Sequence, residues 1–121
     1  MIKNPFFEKM KDNYIQISKE IAATPLDGDD LMINYDTDLD KLFLSDMEKL
    51  SAASELLHKA KDLDDKITVQ AALVYMRVFS IRLSGFFEDI KDDADAFLKE
   101  SHWPKIPEDY QVPEHYQYPF K

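Results

Sequence analysis

Between Asn4-Pro5 and Thr24-Pro25 the residues Phe7, Met10, Tyr14, Ile17 and Ile21 recur at spacings of 3, 4, 3 and 4. Only an α-helix, with its 3.6 residues per turn, gathers such a set on one side. Asn4 is a good N-cap, Pro5 suits the first helical position, and a residue before proline is pushed out of the α region. A first helix is expected over residues 5–23. The same arithmetic returns in Leu39, Phe43, Met47, Leu50, Ala53, Leu57 and Ala60. With Asp36 or Thr37 as cap, it predicts a second helix over 37–62. Ser45 with Glu48 also reads as a capping box that starts this helix later.

The short acidic joint Asp62-Leu-Asp-Asp-Lys66 makes the next helix an antiparallel neighbour, capped by Asp64 or Asp65. Residues 67–83 are apolar nearly all the way round. Such a helix is central, or it shares a second face with a partner. The stripe Ala72, Met76, Phe79, Leu83, Phe86, Ile90, Ala94, Phe97 runs on through Gly85. One helix of about 35 residues reaches roughly 50 Å, against roughly 28 Å for the first. That overhang strips Phe86, Phe87, Ile90, Phe97 and Leu98 of packing partners. Glycine also costs a helix about 1 kcal/mol. A kink or break at Ser84-Gly85 is therefore expected, with helices over 66–84 and 86–100. The fold class is all-α: a three- to four-helix antiparallel bundle over residues 1–101, completed by a C-terminal arm within the same single domain.

The arm, residues 102–121, carries Pro104, Pro107, Pro113 and Pro119, which deny it helix and central strand. Ile106-Pro-Glu-Asp-Tyr-Gln is nearly repeated as Val112-Pro-Glu-His-Tyr-Gln. At the three residues per turn of polyproline II, two ridges are largely apolar and one is polar. Trp103, Ile106, Tyr110, Val112, Tyr116 and Tyr118 are then binding candidates, since large rings gain by leaving water. The arm is expected to be docked, on its own bundle or on a second molecule.

The chain of 121 residues carries a net charge of −9 and has no cysteine. Disulfides and thiolate chemistry are excluded, and an acidic surface repels nucleic acid and anionic lipid while attracting basic partners. The first residues lack the apolar core of a signal peptide, and no run of about 18 apolar residues exists to span a membrane. A cytoplasmic location is expected.

Asp27, Asp29, Asp30, Asp36, Asp38 and Asp40 crowd residues 27–40 with no cation among them. Asp36, Asp38 and Asp40 match the D-x-D-x-D opening of a calcium loop, but Lys41 stands at the turn glycine and Met47 at the bidentate glutamate. An irregular divalent-metal site is one reading of these residues. Helix capping is the second. A face for a basic partner, made by Asp27, Asp29, Asp30, Asp36 and Asp38, is the third. The stretch around His58, with Lys61 three residues on, resembles the motif of histidine phosphotransfer domains, which place a phosphorylatable histidine on a bundle helix. The resemblance covers a handful of residues, and Asp62 stands where that motif has glycine. It implies His58 as phosphoacceptor.

No phosphate loop, dinucleotide fingerprint or nucleophile elbow is present, and His58, His102 and His115 have no ligand spacing. No enzyme activity and no cofactor are expected. Arg77 and Arg82 interrupt the apolar third helix, and at least one is expected to be ion-paired within the fold. These features together suggest a small acidic protein–protein interaction module. Its class is that of an inhibitor, an immunity or antitoxin protein, an assembly adaptor, or a phage-type decoy used in anti-defence. The partner is a basic or nucleic-acid-binding protein, with homodimerisation through the third helix or the arm as a further possibility. Direct contact with nucleic acid or membrane is not expected.

Overall fold

A computed structural model of the chain describes residues 4–21, 31–100 and 103–120. The described residues form α1 (Phe7–Ile21), α2 (Leu39–Asp62), α3 (Lys66–Leu98) and a short 3₁₀ turn at Glu114–Tyr116, with no strand among them. The all-α expectation holds. Among the described residues no helix is long and apolar enough to cross a membrane.

The helix starts follow from capping. Asp38 is extended (φ −74°, ψ 101°) and accepts the Lys41 amide at 3.1 Å, so Asp38, not Asp36 or Thr37, caps α2. Asp65 caps α3 by accepting the Thr68 amide at 3.1 Å and its hydroxyl at 2.6 Å. Between them the chain reverses in three residues. Asp64 takes a left-handed conformation (φ 53°) while its amide donates to Lys61 O and the Asp65 amide to Ala60 O. That pair of bonds is the Schellman closure, here without the usual glycine.

α2 and α3 pack antiparallel. Ala53, Ala60 and Ala72 are buried along this contact, and their small side chains let the two backbones approach. α1 lies against the opposite, open end of the hairpin. There Phe7 is 4.8 Å from both Phe43 and Phe86, ring centre to ring centre, in a cluster with Ile33, Leu39 and Leu83. The N-termini of α1 and α2 cap one another. Asp40 accepts the Phe7 amide at 2.8 Å, and Glu8 accepts the Leu39 amide at 2.9 Å. Lys11 locks the corner by donating to Glu8 and to the Thr37 carbonyl.

The expected break at Gly85 does not occur: α3 is one helix of 33 residues. The C-terminal half of α3 is not a bare overhang. Instead, α1 and the segment at residues 31–37 cover the C-terminal half of α3. Phe86 is buried against Phe7, Phe97 is buried edge-on to Tyr14 at 5.0 Å, and Asp93 anchors the 31–35 stretch. Phe87 and Leu98 do remain exposed. A Cβ built on Gly85 meets nothing within 4 Å, so no neighbour among the described residues requires a glycine there.

The expected docking of the arm on its own chain also fails. Every residue from Trp103 to Phe120 is exposed, and the link to the helices is the Trp103 indole N–H, which donates to Phe97 O at 2.7 Å. Nor is the arm a continuous polyproline helix. The Tyr110 amide donates to Pro107 O and the Tyr116 amide to Pro113 O, both at 3.1 Å. Each copy of the repeat thus closes the same four-residue turn, and Gln117 follows in a left-handed conformation (φ 55°). Local amide-to-carbonyl bonding at these two turns interrupts the three-residue ridges.

Candidate functional site

Where the 33–42 stretch faces the middle of α3, a groove of about 310 Å³ remains. Ile33, Leu39 and Leu42 line one side, and Ile81, Phe86 and Ile90 the other. Gly85 adds no side chain and leaves the groove open. Asn34, Thr37, Asp46, Arg82 and Asp89 supply its polar atoms. Asp46, nearly fully buried, accepts from Arg82 Nε at 2.9 Å, while half of the arginine side chain stays in solvent. This is the ion pair expected of one of the two arginines.

Asp89 differs in its surroundings. Partial burial, and then the nearby charges of Asp93, Asp92 and Glu88, hold its carboxyl above the ordinary range. Among the described residues no cation bridges to it: Arg82 goes to Asp46, and Lys91 to Asp92 and Asp95. The groove thus pairs apolar walls with one carboxylate that lacks a counter-charge. Such a site favours a ligand with an apolar stem and a positive tip.

Behind the groove lies a closed polar cluster. Asp93 is fully buried and accepts the Met32 amide (2.6 Å), the Ile33 amide (3.0 Å) and the Tyr35 hydroxyl (2.7 Å). Burial, then the hydrogen bond to Asp93, push the Tyr35 phenol far above its usual range. Burial, then the charge of Asp93, raise that of Tyr14 as well. All three donors to Asp93 belong to the 31–35 stretch, which marks this cluster as an anchor for one wall of the groove.

The residues singled out from the sequence are scattered. Asp36 is exposed, Asp38 caps α2 and Asp40 caps α1, so two carboxylates of the D-x-D-x-D triplet are spent on separate helix caps. No group of three or more His, Asp or Glu side chains that could hold a metal occurs among the described residues. Asp27, Asp29, Asp30 and His102 lie outside the described residues. Ile106, Tyr110, Val112, Tyr116 and Tyr118 are exposed along the arm, and Trp103 is half exposed. His58 is exposed with Nε2 3.6 Å from the Asp62 carboxylate, and His115 stacks on Tyr116 at 4.2 Å.

Sequence reasoning missed Asp46, Asp89 and Asp93. A signal was present for two of them. Asp46 falls beside Met47 in the Phe43–Leu50 stripe, and Asp93 falls between Ile90 and Phe97 in the α3 stripe. A carboxylate on an apolar face must be hydrogen-bonded, which marks it as an anchor before any coordinates exist. No family model, curated protein or solved structure matches the chain.

Proposed function

We propose that this chain is an acidic protein–protein interaction module that receives a basic side chain of its partner in the groove beside Asp89. The observation that carries the reading is the state of Asp89: half-buried among acidic neighbours, at an apolar groove, with no cation paired to it among the described residues. A lysine or arginine entering there lays its methylenes on Ile81, Phe86 and Ile90 and supplies the missing charge. The net charge of −9 steers a basic partner toward the same surface. The exposed aromatic arm adds a second, reaching contact.

Inhibitors, immunity proteins, antitoxins and assembly adaptors work by this kind of contact, and the chain is assigned to that group, with the three helices as a minimal antiparallel bundle acting in the cytoplasm. The test is an NMR titration with a short arginine-containing amphipathic peptide. Amide shifts are expected at Ile81, Gly85 and Asp89. Binding by Asp89→Asn should be about tenfold weaker, the scale of one charge-assisted hydrogen bond. Shifts confined to other surfaces, or equal affinity for Asp89→Asn, would end this reading.

A further inference from the structure

Gly85 stands in the interior of α3, where glycine weakens a helix. Among the described residues the fold gives no reason for it. Its φ is not positive, so no backbone conformation asks for glycine. A Cβ there meets nothing within 4 Å, so no close approach asks for it either. The small residues buried along the α2–α3 contact are alanines instead: Ala53, Ala60 and Ala72. What Gly85 does line is the groove.

Its place there is particular. Arg82, Gly85 and Asp89 follow one another at spacings of 3 and 4, which sets them along one side of α3. Helical side chains lean toward the N-terminus, so the Asp89 side chain leans back over the turn that begins at Gly85. A side chain at position 85 would share that patch of surface as its neighbour one turn away. Glycine leaves the patch open, with Ile81, Phe86 and Ile90 as apolar walls around it. The cations on either side in sequence are engaged elsewhere, Arg82 with Asp46 and Lys91 with Asp92 and Asp95. The counter-charge that Asp89 lacks and the side chain that position 85 lacks thus fall at one place.

We infer that Gly85 is the specificity-determining residue of the groove: it opens a notch beside Asp89 for an unbranched basic side chain of the partner, which stands where a side chain of residue 85 would. This rests on the groove reading above and names the residue that enforces it. The methylene stem of a lysine or arginine is thin enough to lie on bare helix backbone while its charged tip reaches the carboxylate. Side chains branched or ringed close to their own backbone are too wide for a notch one residue across. Acidic ones meet Asp89 and its neighbours Glu88 and Asp92. A substitution at position 85 therefore acts in two directions. It restores helix propensity, which favours the fold, and it fills the notch, which opposes binding.

The experiment uses the full chain and the arginine-containing amphipathic peptide, read by amide shifts, with a melting temperature for every variant. Gly85→Ala is expected to melt higher than the wild type and to bind the peptide several-fold more weakly. Gly85→Leu should keep its helical circular dichroism and lose the peptide-induced shifts at Ile81 and Asp89. Gly85→Lys sets a cation of the chain itself one turn before Asp89. The Asp89 carboxyl should then titrate at lower pH than in the wild type, followed by carbon-detected NMR with no peptide present, so this readout needs no ligand. Wild-type affinity in both Gly85→Ala and Gly85→Leu overturns the inference and leaves the groove reading standing. A Gly85→Ala chain that melts lower than the wild type overturns it too, because the glycine then serves the fold. So does an Asp89 titration that Gly85→Lys leaves unmoved. A wild-type chain with no peptide-induced shift at the groove removes the groove reading, and this inference with it.

Discussion

The Tyr35 hydroxyl donates to the Asp93 carboxylate at 2.7 Å, joining two positions 58 residues apart in the chain. With the Met32 and Ile33 amides on the same carboxylate, it ties the loop ahead of α2 to the C-terminal half of α3. Asp93→Ala strands two backbone amides and one hydroxyl and should cost about 3 kcal/mol or more. Tyr35→Phe removes one bond to a charged acceptor and should cost about 1.5–3 kcal/mol. Urea unfolding of the two variants measures both. The sign at alkaline pH is also fixed. The fold holds the Tyr35 phenol protonated above its ordinary value of 10.0, so this stability is complete below pH 10.0 and is lost as pH rises beyond it. Tyr35→Phe should flatten that alkaline loss.

Asp89 has the opposite consequence. Its carboxyl sits above the ordinary 3.8, so the folded chain prefers it neutral. The penalty is absent well below pH 3.8 and grows as pH rises through the window above it. Asp89→Asn should remove this slope and raise stability at neutral pH by less than about 1 kcal/mol, since the group is only half-buried. Thermal melts between acid and neutral pH, run on both proteins, test the point. A variant that gains stability while losing affinity for the arginine peptide is the combined outcome expected of a binding carboxylate.

At the α2–α3 joint, Asp64 holds φ 53° where glycine is at ease. Asp64→Gly should stabilise by about 0.5–1 kcal/mol, by relieving the left-handed strain that an L side chain carries. Equal or lower stability in chemical denaturation contradicts this.

Removing residues 103–121 should leave the fold nearly as stable as before. One indole hydrogen bond ties the described arm to the helices, and its rings are already exposed. The melting temperature is expected to move by less than about 3 °C, the scale of roughly 0.5 kcal/mol in a domain of this size. A large drop identifies a strap rather than a reaching arm.

Much of this was legible in the sequence. The stripes beginning at Phe7, Leu39 and Ala72 each correspond to a helix, because burial on one face is a periodic demand. The error at Gly85 came from setting one glycine, worth about 1 kcal/mol, against a stripe that never lost phase. The stripe prevailed, since Phe86 and Phe97 together bury far more than the glycine costs. The arm misled for a different reason. Its proline spacing suits a three-residue period, but turn closure at Pro107 and Pro113 depends on which amide meets which carbonyl. The groove was invisible because its two walls, around residues 33–42 and 81–90, are far apart in sequence and are brought together by tertiary contacts, the Asp93 anchor and the Ile33–Leu39–Leu83–Phe86 cluster among them. Nothing in either stretch alone announces the other.

The exchanged caps between Asp40 and Phe7, and between Glu8 and Leu39, bear on how the molecule opens. The α2–α3 hairpin closes through a three-residue joint and contacts near in sequence, so it can assemble quickly by itself. α1 is held by two borrowed caps, the Phe7 cluster and Tyr14, which spans 76 residues to reach Ile90. When one cap lets go, its counterpart on the other helix loses its geometry too. α1 therefore leaves as a unit rather than fraying. Amide hydrogen exchange should record one shared, lower opening energy for α1 and the first turn of α2, beneath that of the hairpin.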